Sequence, residues 1–236
     1  MPYVAESNHR DRRRTIPYLI LALMLAGAGG AAWVSTRASA PQSTVGPEGV
    51  VVYRVGDVAS SSTTAGGRPI DGIACQAQAK EVVTYHIHVH VSVYVRGQLK
   101  RLPAGIGITS PPLVERTSLG DLYDVGLYDC LYWLHTHASD GIIHVEAPSH
   151  QSFTLGQFFD VWRQPLSATR VGPAKGAVVV FENGKRLTGD PRATPLLAHG
   201  DIQIDVGSPV VAFQPFRYRV TGGCGQGTNS CSAPRG

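Results

Sequence analysis

The sequence predicts an α+β fold in which one main helix packs on a mixed or antiparallel sheet, an order of elements also compatible with a β-grasp-like roll. Three observations lead to this prediction. A long period-two pattern begins at Tyr85, one amphipathic helical pattern spans Thr154 to Leu166, and further strand patterns follow it. Upstream of this domain, the apolar residues 16–34 predict a single-pass N-terminal transmembrane helix.

Residues 16–34 read "IPYLILALMLAGAGGAAWV" and carry no charge. A helix of this length rises about 28 Å, close to the thickness of a bilayer core. Because the preceding "RDRRR" is basic, the positive-inside rule places residues 1–15 in the cytoplasm and the main domain in the periplasm or outside the cell. A cleaved signal peptide is the alternative, since Ala38-Ser39-Ala40 resembles a cleavage site, but Pro41 and the length of the apolar run favour a retained anchor.

Composition divides the rest of the chain into three parts. Residues 35–70 are rich in Ser, Thr, Gly, Pro and Ala, as is typical of a flexible linker, and contain one short strand pattern in "GVVVYRV". The extracytoplasmic domain is expected at residues 71–221, followed by an irregular tail at residues 222–236. Half of the formal net charge of +4 lies in the first 34 residues, and the outer part has no Lys/Arg stripe, which excludes nucleic-acid binding.

The chain has four cysteines, and an extracytoplasmic location permits disulfides. Cys224 and Cys231 bracket "GQGTNS" and are placed to close a small loop in the C-terminal tail. Cys75 and Cys130 would then pair with each other, joining the approach to the first strand to the segment before the second histidine cluster. Four cysteines allow three pairings, and the sequence leaves the choice open.

The strongest strand pattern is "YHIHVHVSVYV", which begins at Tyr85. Its aliphatic residues point one way, whereas His86, His88 and His90 point the other. The many β-branched residues and the following "RGQ" turn favour a strand.

The region after the histidine clusters predicts a helix and two strand units. The helix should have Ser152 or Thr154 as its N-cap. Its apolar face consists of Leu155, Phe158, Phe159 and Trp162. "AVVVFENGKRL" then predicts a hairpin with Asn183-Gly184 as its two-residue turn, and "DIQIDVG" predicts another alternating strand.

The second histidine cluster is "LHTHASDGIIHVE". Its Asp140-Gly141 favours a type I′ two-residue turn, because both central positions of such a turn need positive φ. Counting from that turn places His137 opposite His144 and His135 opposite Glu146, with all four side chains on one face. The opposite face would be apolar and suited to a core.

Six of the nine histidines lie in these two clusters. If the first strand pairs with the second cluster, seven metal-type side chains share one surface: His86, His88, His90, His135, His137, His144 and Glu146. Imidazole binds zinc and copper, and two histidines at i and i+2 plus one from a neighbouring strand resemble the site of α-class carbonic anhydrases. Seven ligands exceed the needs of one ion, so some either orient the others or build a second site. An ordinary polar strand face is the alternative interpretation.

Several motifs between Gly72 and Leu166 resemble a group of bacterial and archaeal membrane-anchored or secreted proteins of unassigned function. These motifs are "GIAC", "HIHVHVSVYVRGQ", "PAGIGI", "CLYWLHTHASDGIIHVEAP" and "FTLGQFFDVW". The resemblance implies an extracytoplasmic location and supports treating the histidines as a unit. It implies no reaction and assigns no catalytic residue.

Three functions are compatible with these observations. The first is a membrane-anchored, extracytoplasmic protein that binds copper or zinc. The second is an accessory subunit of a larger membrane complex, because the small residues "AGAGGAA" in the anchor would allow close helix packing. The third is a metal-dependent hydrolase or oxidase with Glu146 as a base, although no catalytic motif such as HExxH or GxSxG is present. Whether the protein is an enzyme stays open.

Overall fold

The computed structural model describes residues 43–45, 51–61, 66–109, 113–117, 120–124 and 129–218. The strands in these ranges are β1 (Ser43–Val45), β2 (Val51–Tyr53), β3 (Cys75–Gln76), β4 (Tyr85–Val95), β5 (Gln98–Lys100), β6 (Leu113–Thr117), β7 (Gly120–Asp124), β8 (Leu131–Tyr132), β9 (Leu134–His135), β10 (Ile142–Ala147), β11 (Leu166–Ser167), β12 (Arg170–Val171), β13 (Ala174–Lys175), β14 (Val178–Glu182), β15 (Lys185–Arg186) and β16 (Asp201–Val206). The helices there are α1 (Leu155–Trp162) and two short 3-10 helices, Gln78–Lys80 and Pro191–Ala193.

A seven-stranded mixed sheet has the order β15-β14-β16-β4-β10-β9, with β5 paired to the end of β4. The longest strand, β4, lies at its centre. Its first half pairs antiparallel with β10, and its second half pairs parallel with β16. The described part of the chain is therefore β-rich with one α-helix on a mixed sheet, which agrees with the predicted α+β class.

One face of the sheet carries the hydrophobic core. On β4 this face is formed by Val89, Val91 and Val93, all of which are buried. The predicted apolar face of helix α1 packs into the same core, and its four residues are fully buried: Leu155, Phe158, Phe159 and Trp162. Burial of aliphatic and aromatic side chains on this side leaves the histidine side of β4 to face away from the core.

Helix α1 begins at the predicted N-cap but ends earlier than predicted. The Thr154 hydroxyl accepts a hydrogen bond from the backbone N–H of Gln157, whose side chain accepts one from the Thr154 N–H, forming a capping box. The helix stops because Arg163 adopts a left-handed conformation with φ of 58°. Pro165 follows, and its ring disfavours a helical conformation in the residue before it.

Part of the predicted linker lies against the domain. Within residues 51–61, Val52 and Val58 are buried, and strand β2 falls inside the "GVVVYRV" pattern. The Val58 N–H donates to the backbone oxygen of Arg101 at 2.9 Å. The indole N–H of Trp162 donates to the Ser60 oxygen at 2.8 Å, so this segment contacts the helix as well as the sheet.

Cys75 and Cys130 form a disulfide, one of the three pairings that the sequence left open. It links the start of β3 to the residue before β8. Cys224 and Cys231 lie outside the described residues, as do the predicted cytoplasmic tail and the predicted anchor at residues 16–34. Within the ranges that the structure describes, no helix is long and apolar enough to cross a membrane.

Candidate metal centre

Strand pairing brings the two histidine clusters together. On one side of β10, His144 lies opposite His88 and Glu146 lies opposite His86. On the other side of β10, His144 lies opposite His135 of β9. The His144 ring therefore stands between the two clusters, with ring centroids 4.4 Å from those of both His88 and His137. The first strand therefore lies beside the second cluster, which was the condition for a shared surface of histidines.

The predicted two-residue turn at Asp140-Gly141 is wrong. Strand β9 ends at His135 and β10 begins only at Ile142, so a longer loop connects them. Gly141 has φ of 85°, but Asp140 is not among the residues with positive φ, and a type I′ turn needs both. The Asp140 carboxylate instead accepts a hydrogen bond from the Ile142 N–H at 2.9 Å.

The longer loop shifts the register by two positions, so that His135, rather than His137, lies opposite His144. A shift of two keeps each side chain on its original face, which is why His135 still points toward His144. Tertiary contacts hold the loop: the Thr136 N–H donates to Ile106 O, and its carbonyl accepts from Gly105 N–H. His137 has left the strand, but its position brings it back to the same cluster.

Four residues form what we call the inner group: His135, His137, His144 and Glu146. One ligand atom from each lies within 4.8 Å of the others. The three histidines are buried, and the Glu146 side chain is 15% exposed. The Nε2 atoms of His135 and His137 are 3.1 Å apart, close to the roughly 3.3 Å expected between two nitrogens on a tetrahedral zinc ion.

A hydrogen bond sets the tautomer of His135. Its Nδ1 lies 2.9 Å from the backbone oxygen of Tyr132, and a carbonyl can only accept, so Nδ1–H is the donor. The Nε2 atom of the neutral ring then carries a lone pair directed at His137. An imidazole oriented by a backbone carbonyl in this way is the usual form of a metal-ligating histidine.

The outer group consists of His86, His88 and His144, whose ligand atoms also lie within 4.8 Å of one another. The Nε2 atoms of His86 and His88 are 3.0 Å apart. His86 Nε2 is also 3.1 Å from Glu146 Oε1, so the carboxylate of the inner group contacts the outer group. The His86 side chain is 34% exposed and His88 is half-buried, which places the outer group nearer to solvent.

The electrostatics favour a neutral His135 beside one carboxylate anion. Burial, together with the neighbouring His137, lowers the pKa of His135 well below its ordinary value. Burial raises the pKa of Glu146, but the hydrogen bond from His144 and the electrostatic interactions with His135 and His86 outweigh this effect, so the pKa of Glu146 lies well below its usual range. Imidazole nitrogens and one carboxylate suit a divalent transition ion.

His90, the third predicted ligand on β4, lies outside both groups. Its Nδ1 is 2.9 Å from Asp201 Oδ1, and its ring stacks on Phe216 with centroids 3.7 Å apart. Burial lowers the pKa of His90, whereas Asp201 raises it by a smaller amount. The remaining described histidines lie elsewhere, with His150 against Tyr85 and His199 against a tyrosine of the C-terminal segment.

Sequence reasoning missed what covers the second half of this sheet face. Strand β16 places Asp201, Gln203 and Asp205 opposite His90, Ser92 and Tyr94, respectively, and all three are buried. Residues 209–218, which we call the C-terminal strap, run over them. The strap's backbone N–H groups at 211, 214 and 216 donate to the side chains of Asp205, Gln203 and Asp201, respectively. The alternation in "DIQIDVG" was the available signal, because a core strand with three polar residues on one face needs partners for them.

The inner and outer groups could hold a transition-metal ion, but histidine and carboxylate ligands do not by themselves identify it. No family model matches the chain, and neither a curated protein nor a solved structure matches it.

Proposed function

We propose that this chain is a membrane-anchored, extracytoplasmic protein whose inner group binds one copper or zinc ion. The observation that carries the proposal is the convergence of three buried histidines and the partly buried Glu146, whose ligand atoms lie within 4.8 Å of one another. Three imidazoles and one carboxylate supply the donors and a negative charge, and all three imidazoles are buried.

The types of donor atom limit which metal ion the site would bind. Soft Cu(I) prefers thiolates and thioethers. The chain has only two methionines, and the described cysteines are joined in a disulfide. Zinc and Cu(II) both accept imidazole and carboxylate ligands, so the ion held in the cell depends on which one is supplied. We therefore propose a divalent ion at the inner group.

The location proposed here rests mainly on the sequence. The uncharged residues 16–34 after a basic tail favour an anchor, and the Cys75–Cys130 disulfide supports an oxidising compartment. An accessory role in a larger membrane complex is compatible with metal binding and would coexist with it. A role as hydrolase or oxidase is less well supported, because Glu146 belongs to the candidate metal ligands, and a carboxylate that binds the ion does not also act as a general base.

Elemental analysis of the full chain tests the proposal. The protein, extracted in detergent and loaded with zinc or copper, should retain one ion per chain after desalting. The H135A/H137A variant should retain less than about a tenth of that, because two ligands of the inner group are gone. The His150→Ala variant is the matched control, since His150 is exposed and belongs to neither group, and it should match the parent. A parent that retains neither metal overturns the proposal.

A further inference from the structure

The two histidine groups differ in exposure but share one ligand. The outer group includes the exposed His86, whereas His135 in the inner group has no exposed surface. His144 belongs to both groups. We infer that an ion first binds the outer group and then moves to the inner group while it stays bound to His144. This inference rests on the proposed function and assigns the outer group the role of a loading position.

The exposure gradient makes a direct approach to the inner group unfavourable. A hydrated divalent ion must exchange its waters for protein ligands, and ligands that it meets at the surface allow this to happen stepwise. His86 is reachable from solvent, His88 is half-buried, and the three inner histidines are buried. The outer pair therefore lies on the route that such an ion would take.

The distances within the cluster allow the ion to exchange one histidine pair for the other without losing all its protein ligands. The Nε2 atoms of His86 and His88 are 3.0 Å apart, and those of His135 and His137 are 3.1 Å apart. The His144 ring lies between these pairs. Glu146 Oε1 is 3.1 Å from His86 Nε2 and also belongs to the inner group. During the move, one histidine pair replaces the other while His144 and Glu146 hold the ion.

Charge argues for one ion at a time. Glu146 is the only carboxylate in the two groups that the described residues form. Two divalent ions that shared a ligand would be close together and would repel strongly in a partly buried site, with a single anion to compensate them. The outer and inner groups are therefore alternative positions for one ion.

Stopped-flow zinc transfer tests this inference. The full chain in detergent is mixed with zinc, and loading is followed with a chromophoric chelator that competes for the ion. The H86A/H88A variant should still bind one ion per chain, with an affinity within about tenfold of the parent, but should load and release it about tenfold more slowly or worse. The H135A/H137A variant should do the reverse: it should load quickly but bind about a hundredfold more weakly.

The single variant H86A guards against a folding defect, because this side chain is exposed and its removal opens no cavity. It should show a smaller slowing in the same direction. Equal loading rates in the parent and H86A/H88A overturn the inference, as does loss of the ion from H86A/H88A or retention of two ions by the parent. Failure of the proposed function is a separate result, since the parent would then hold no ion at all.

Discussion

The two ends of the polar face of β4 have the same alternating sequence pattern, but their side chains contact different partners. At one end, His86 and His88 meet the imidazole of His144 and the carboxylate of Glu146 across β10. At the other end, the polar residues of β4 meet those of β16, whose side chains accept hydrogen bonds from the C-terminal strap.

The difference between the two ends lies in the chemistry of the partners. His90 has a carboxylate beside its Nδ1 and an aromatic ring against its face, so protein groups satisfy it. At the other end, imidazole nitrogens face imidazole nitrogens at 3.0 and 3.1 Å. Five imidazole rings and the Glu146 carboxylate thus bring potential metal-ligand atoms to a common space. A polar strand face thus becomes a candidate metal site only where its partners are also metal ligands.

The largest difference between the two ends should be in how much bound metal raises the free energy of unfolding. At a free ion concentration about a thousandfold above the dissociation constant, an ion that binds only the folded state adds about 4 kcal/mol to the free energy of unfolding. Urea unfolding with and without zinc should show this gain in the parent and in His90→Gln. In H135A/H137A, which binds about a hundredfold more weakly, the gain should fall to about 1.4 kcal/mol. Loss of the gain in His90→Gln would mean that the strap end belongs to the metal site.

Gly141 lies where the two ends meet, and Gly141→Ala should cost about 3 kcal/mol of stability. Gly141 has φ of 85°, and an added Cβ would lie 2.6 Å from the backbone oxygen of Val91. The Val91 N–H donates to the Gly141 oxygen at 2.8 Å, and this hydrogen bond opposes any movement of the two backbones apart. Gly56→Ala is the control, since nothing lies within 4 Å of its added Cβ, and its effect should stay within about 0.5 kcal/mol. Urea denaturation measures both, and equal effects would contradict the packing argument.

Asp201→Ala should lower the free energy of unfolding by about 2 kcal/mol, because it leaves the Phe216 N–H and the His90 Nδ1–H without their acceptor. Asp201 Oδ2 accepts from the Phe216 N–H at 2.6 Å, and its Oδ1 lies 2.9 Å from His90 Nδ1. Asp201→Asn keeps one acceptor oxygen and should cost less. Both variants should retain metal in elemental analysis, and parallel loss of metal and stability would show that the two ends are not independent.

The smallest effect should appear at alkaline pH. Burial raises the pKa of Tyr94 above its ordinary value near 10, and the charges of Tyr53, Asp205 and Asp201 raise it further. Above pH about 10 the unfolded chain releases this proton while the folded chain retains it, so stability falls as pH rises. Tyr94→Phe should make that decline shallower and leave stability at neutral pH nearly unchanged. An unaltered decline between about pH 10 and 11 would contradict the assignment.

Two Xaa-Gly pairs show how far local sequence reaches. Asn183-Gly184 forms the predicted two-residue turn, with φ of 50° and 83°, between strands β14 and β15 that pair with each other. Asp140-Gly141 does not, because the loop before it is bonded to residues 105 and 106 and Gly141 itself is bonded to β4. An Xaa-Gly pair therefore forms its preferred two-residue turn where only its own two strands contact it. It does not form that turn where other segments make hydrogen bonds with the same backbone.

The sequence by itself determined the faces: alternation in β4 separated aliphatic from polar residues, and helical spacing identified the buried face of α1. The period-two alternation also left His135 on the same face as His144 despite a register shift of two. Tertiary structure alone decided which histidines meet. His86, His88 and His90 are equivalent in the local pattern, and they differ only because β10 pairs with the first half of β4 and β16 with the second. Local periodicity specifies which side of a strand a residue occupies, but a partner such as Asp201, far along the chain, is set by the global packing of the sheet.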